Sequence, residues 1–69
     1  MHVFLTGAGS FIGRAFLKWC DQQSIQVTGV DLSDVGRDDC FVGDIREDAI
    51  RDLIPENVDA IVHLAALSR

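Results

Sequence analysis

The stretch HVFLTGAGSFIGRAFLKW, residues 2–19, constrains the fold more than any other part of the chain. It opens with a short, apolar, β-rich run at 2–6, then turns through Gly7 and Gly9. From Phe11 the hydrophobic period becomes helical. Ile12, Ala15, Phe16 and Trp19 form the apolar stripe, with Arg14, Lys18 and Asp21 on other faces, which predicts a helix to about Gln23. A strand that passes through a tight turn into a helix aims backbone N–H groups at one spot. The positive end of the helix dipole adds to them, and together they can hold a pyrophosphate. Gly7 suits the sharp turn, Gly9 a close approach by phosphate, and Gly13 the packing of helix on strand. No Lys-Ser or Lys-Thr follows, so the loop is not of the P-loop type. Glycines alone also fit a purely structural turn.

The rest of the chain continues the alternation. SIQVTGV predicts a second strand, about Ile25 to Val30, with Asp31 at its carboxyl end. The polar DLSDVGRDD reads as a loop, and CFVG, Cys40 to Gly43, as a short third strand. Asp44 to Ile54 predicts a second helix. Asp44 and Glu47 have capping-box spacing, Ala49, Ile50, Leu53 and Ile54 supply an apolar face, and Pro55 ends it. DAIVHLAA, Asp59 to Ala66, predicts a fourth strand that is apolar on both faces, as in a parallel sheet covered on both sides. The expected fold is α/β: a partial, Rossmann-like, doubly wound parallel sheet in the order strand, helix, strand, strand, helix, strand. Right-handed crossovers give a spatial order of 3-2-1-4.

Asp31 extends the loop reading. An acid at the end of the second strand can accept hydrogen bonds from the adenosine ribose hydroxyls, and its charge repels a 2′-phosphate. NAD is therefore expected rather than NADP. Arg37, in the following loop, is in reach of a 2′-phosphate in principle, but reads better as a solvated surface arginine. Arg14 reads as an exposed first-turn residue. Asp31 itself has a plainer alternative as a solvated loop carboxylate.

TGAGSFIG, Asp31, GDIR and DAIVHLAALS, in that order, resemble the N-terminal part of the extended short-chain dehydrogenase/reductase family, the NAD-dependent epimerase/dehydratase proteins. The family loop is T-G-x-x-G-x-x-G. Thr6, Gly7 and Gly13 match it, and Phe11-Ile12 resemble its usual Phe-Ile. Ser10 replaces the middle glycine, with Gly9 one place earlier. Ser10 places a Cβ where the family has none, and its hydroxyl could donate to a phosphate oxygen. The resemblance implies that Asp44 and Ile45 flank the adenine, although Asp44 also fits a helix cap. It implies that Leu64, Ala65 and Ala66 line the cofactor wall. With Gly7, Gly9, Ser10, Phe11, Ile12, Gly13 and Asp31, these complete the expected cofactor-binding set. His63 reads as a packed strand residue, and Ser68 lies in the loop beyond.

The family's hydride transfer, as the resemblance implies it, uses a tyrosine with a lysine one helical turn on, and a Ser or Thr that polarises the substrate. This chain has no tyrosine, and its only lysine is Lys18. The expectation is an NAD-binding segment of an oxidoreductase acting on a nucleotide-sugar or related carbonyl or hydroxyl substrate, with catalytic residues elsewhere. The alternative is a non-catalytic dinucleotide sensor or scaffold. Size agrees with a piece of a larger protein, because chains this short bury only roughly 60% of their unfolded surface. A half-sheet also leaves an edge that pairs with other chains. Association through that edge, or a homo-oligomer, is expected.

Other classes are disfavoured. The net charge of −5, without a basic stripe, suits neither nucleic acid nor an anionic membrane. No apolar run reaches the roughly 18 residues of a membrane helix. Cys20 and Cys40 form no C-x-x-C pair and read as free thiols of a reducing, cytoplasmic compartment. His2 and His63 fall at no metal-site spacing.

Overall fold

The computed structural model describes residues 1–65. Ala66 and Ser68, named above, lie outside the described residues. The elements are β1 (His2–Thr6), α1 (Phe11–Gln22), β2 (Gln26–Asp31), β3 (Cys40–Val42), a 3-10 helix (Asp48–Leu53) and β4 (Ala60–His63). The four strands form one sheet in the order β3-β2-β1-β4, all neighbours parallel. This is the order expected from right-handed crossovers. Thr6 pairs with Val30 on one side and His63 on the other, so the carboxyl ends of three strands stand level.

β1 is the centre of the fold and is buried along its whole length. Its side chains alternate between two cores, as a strand covered on both faces requires. Leu5 joins Ala8, Leu17, Cys20 and Val27 under α1. Phe4 joins Val30 and Ile50 on the opposite face, with Leu53, Ile54 and Val58 around them. The connection from β3 to β4 passes over this second face.

Gly13 decides how α1 sits. A Cβ there would drive into the Gly7 carbonyl oxygen and crowd that of Ala8, so only glycine lets the helix start this close to the end of β1. Leu17 and Cys20 follow Gly13 at i+4 and i+7 and share its buried face. The stripe expected from periodicity is therefore corrected: Ala15 faces solvent, Ile12 is 54% exposed and Trp19 49%. Of that set, only Phe16 packs against the core. Ser24, with φ 56°, ends the helix in the left-handed conformation, and Ile25 N–H donates to the Cys20 carbonyl at 2.9 Å.

Two further expectations are corrected. The second helix is not an α-helix over 44–54 but a 3-10 helix confined to Asp48–Leu53. The Asp44 side chain does not cap it. It turns back onto its own loop, accepting from the Arg46 amide at 2.9 Å. β4 is apolar but is not covered on both faces. It lies at the sheet edge, with Ala60 and His63 exposed and Ile61 59% exposed. Cys20 is buried and Cys40 half-buried, both as free thiols.

The Gly13 contact gives a direct test. Gly13→Ala should cost at least about 2 kcal/mol, because neither carbonyl can retreat without breaking the β1–α1 junction. The urea midpoint of the variant should fall sharply or its cooperative transition disappear. An unchanged midpoint would show that the junction yields to a methyl group.

Candidate functional site

The site lies where the carboxyl ends of β1, β2 and β4 meet the amino end of α1. In open parallel sheets this is the crevice at which ligands bind. Gly7 makes the turn out of β1 with φ 73°. A Cβ on it would lie 2.8 Å from Leu64 C and Ala65 N, so the chain beyond β4 packs directly on this glycine. The Gly7 and Ala8 amides donate to the Val30 carbonyl at 3.0 and 3.2 Å, strapping the loop to β2.

Ser10 is the N-cap of α1. Its Oγ accepts from Gly13 N–H at 3.0 Å and donates to the Gly7 carbonyl at 2.7 Å. With φ −68° and ψ 165°, Ser10 sits in ordinary extended backbone, so its Cβ introduces no strain. Both parts of the earlier expectation change. No glycine is needed here, and the hydroxyl proton is already used within the loop rather than offered to a phosphate. What the loop does offer is the first-turn amides of Phe11 and Ile12, which have no carbonyl partner among the described residues. They border a groove of about 170 Å³ lined by Ser10, Phe11, Ile12 and Leu64. Unpaired amides at the start of a helix are the part of such a loop that can receive an anion.

Asp31 ends β2 beside this loop. Its Oδ2 accepts from Gly9 N–H at 2.9 Å and its Oδ1 from Ser33 N–H at 3.2 Å. An ionised carboxylate has about four acceptor positions, so a vicinal diol can still be accommodated. Asp31 is thus not a solvated loop acid but a carboxylate fixed by two amides. Leu32, next along, is 69% exposed. Its apolar exposure at the rim is a feature that periodicity does not single out.

Asp44 and Ile45 follow β3 and come to the same end of the sheet, since Gly43 N–H donates to the Asp31 carbonyl at 2.8 Å. Asp44 is held by Arg46, whose Nη2 lies 2.6 Å from Oδ2. The Arg46 guanidinium first, and the Arg46 amide second, pull the Asp44 carboxyl down to about 2. Ile45 lines a groove of about 310 Å³ with Phe4, Thr6, Ile50 and Ile61 on the face opposite α1. His63 is not packed: it is exposed, with Nδ1 2.7 Å from Thr6 Oγ1. Ala65 N–H approaches the same hydroxyl oxygen at 3.4 Å.

Arg37 is half-buried and ion-paired rather than free in solvent. Its guanidinium makes paired hydrogen bonds to Asp21 in the last turn of α1 and to Asp39, at 2.9–3.0 Å. Asp21 stands about 15 Å down the helix axis from the first turn of α1, at 1.5 Å per residue. The pairing holds the Asp39 carboxyl below the usual range, mainly through the Arg37 hydrogen bonds. Burial first, and then Asp39, push the Cys40 thiol up to about 11, so it is protonated and unreactive at neutral pH.

A parallel sheet in this order, with a glycine turn at the β1–α1 junction, defines a Rossmann-like α/β protein. The chain belongs to the NAD dependent epimerase/dehydratase family, whose model matches residues 3–69. It is also similar to a crystal structure of a short-chain dehydrogenase/reductase superfamily protein from Agrobacterium tumefaciens with bound NAD. The TM-score is 0.81 at 30% sequence identity, over 93% of this chain and 20% of that one. No curated protein matches the chain in sequence.

Two tests follow from the geometry. Ser10→Ala should cost about 1 kcal/mol by removing the cap, whereas Ser10→Gly should cost only a few tenths. Urea unfolding separates the two, and equal losses would deny the cap its role. Arg46→Ala should raise the Asp44 carboxyl toward the ordinary carboxylate range, seen by carbon-13 NMR titration. Because the folded value is depressed, the pair's stabilisation is present above the ordinary carboxylate range. It is lost as pH falls toward about 2. In the variant that acid dependence should shrink, the remainder coming from the Arg46 amide.

Proposed function

We propose that the chain is the NAD-binding portion of an NAD-dependent epimerase/dehydratase-type oxidoreductase. The observation that carries this reading is the Asp31 carboxylate held 2.9 Å from Gly9 N–H, beside the outward amides of Phe11 and Ile12. One end of that arrangement suits a ribose diol and the other a pyrophosphate. The NAD bound in the similar structure supports it. Gly7, Gly9, Ser10, Phe11, Ile12 and Gly13 form the phosphate turn in this proposal. Asp31 takes the ribose, Asp44 and Ile45 the adenine side, and Leu64 to Ala66 the wall.

NAD is favoured over NADP on electrostatic grounds. Asp31 puts negative charge where a 2′-phosphate would lie, and Arg37 is engaged by Asp21 and Asp39 at the other end of α1. The chemistry itself is assigned to other parts of a longer protein. The chain spans 20% of the similar structure's length, contains no tyrosine, and places Lys18 at the exposed surface of α1. A nucleotide-sugar or related carbonyl or hydroxyl compound is the proposed substrate class, on the family membership. A reducing, cytoplasmic setting suits the two free thiols.

Asp31→Asn keeps the shape of the side chain and removes its charge. NAD should bind more weakly and the preference for NAD over NADP should shrink, by about tenfold in the ratio of dissociation constants. Isothermal titration with both dinucleotides measures this. An unchanged ratio would remove Asp31 from the site.

A further inference from the structure

Arg14 occupies an electrostatically unfavourable place in α1. It lies one turn into α1, close to the positive end of the helix dipole, where a cation is disfavoured and an acid would be stabilising. No acidic residue occupies the first turn to offset it. Arg14 makes no ion pair among the described residues, whereas Arg37 and Arg46 are both paired with carboxylates. Its side chain is nevertheless directed. Nε donates to the Gly9 carbonyl at 3.0 Å, which folds the arginine back over the glycine loop. The Nη groups have no hydrogen-bond partner among the described residues. A guanidinium is thereby anchored by one nitrogen, with two more facing outward. Nε is fastened to Gly9, the same residue whose N–H meets Asp31, and Arg14 follows Phe11 and Ile12 within one turn of α1.

We propose that Arg14 is a cofactor-binding residue, whose outward guanidinium nitrogens pair with a phosphate of the dinucleotide's pyrophosphate. The inference rests on the NAD-binding reading above and adds to it a charge that the loop amides do not supply. A local mismatch between residue and position is commonly found where function overrides stability. Here the misplaced cation meets an anion only once the cofactor is bound. A forked guanidinium suits this better than an ammonium, because Nε can keep its loop contact while the Nη pair takes the phosphate.

The test is titration of NAD, NADP, ADP and adenosine into the protein and its Arg14→Ala and Arg14→Lys variants, with urea unfolding of each. Arg14→Ala should weaken NAD, NADP and ADP alike, by about tenfold, and leave adenosine unchanged. Arg14→Lys should recover part of the loss. The unfolding midpoint of Arg14→Ala should hold or rise, since a cation leaves the positive end of the helix. Unchanged NAD affinity would overturn the proposal. So would a loss shared by adenosine, or a fall in midpoint, either of which would give Arg14 a structural role. A loss confined to NADP would assign it to the 2′-phosphate and overturn the pyrophosphate assignment. Failure of the unmodified protein to bind NAD at all would instead overturn the cofactor reading on which the inference depends.

Discussion

The contact between Gly13 and the Gly7 carbonyl sets the height at which α1 meets β1, and most of the candidate site follows from that height. With the helix this close, the Ser10 hydroxyl can bridge the Gly13 amide and the Gly7 carbonyl in one step. That bridge closes the loop on itself and leaves the Phe11 and Ile12 amides pointing outward. The same placement puts Leu17 and Cys20 onto Leu5 and Val27, so one missing Cβ couples the core under α1 to the opening above it. A helix raised by even a methyl group would loosen the core and misdirect the amides together.

The second organising element is Asp31, whose carboxylate links the ends of β1 and β2 through the Gly9 amide. Without a ligand such a carboxylate would ordinarily relax toward solvent. Here two amides fix it, one from the loop before α1 and one from its own turn. It is therefore held in place before any partner reaches it. The β2 end also receives the Gly43 amide, which brings the residues after β3 to the same rim. The positions drawn from three separate loops thus converge because three parallel strands end level.

The strand order, the loop and the place of Asp31 were legible in the sequence, since each is written in residue types with few alternatives. Apolar runs of strand length and glycines at a strand–helix junction restrict the chain to very few arrangements. The stripe of α1 was not legible, because hydrophobic periodicity gives no weight to glycine. Gly13 is the residue that contacts the sheet, and it selects Leu17 and Cys20 over the larger Trp19. The second helix failed for a different reason. Asp44 and Glu47 have the spacing of a capping box, but Asp44 finds nearer donors in the Arg46 amide and guanidinium. Local side-chain bonds compete with helix formation, and here they delay it until Asp48. β4 was misjudged because an apolar strand says that it is to be covered without saying by what.

Ser10 closes the loop with a side chain that a glycine would lack. A glycine at that position would leave the Gly13 amide to a phosphate or to water. Serine takes that donor for itself and returns a cap to the helix, so the loop gains rigidity and gives up one amide. The offered positive character is then concentrated on fewer groups, the Phe11 and Ile12 amides and the dipole behind them. Arg14 is on the next turn, already fastened to Gly9. The serine and the arginine thus act on the same turn: the first occupies the Gly13 amide, the second fastens to the Gly9 carbonyl.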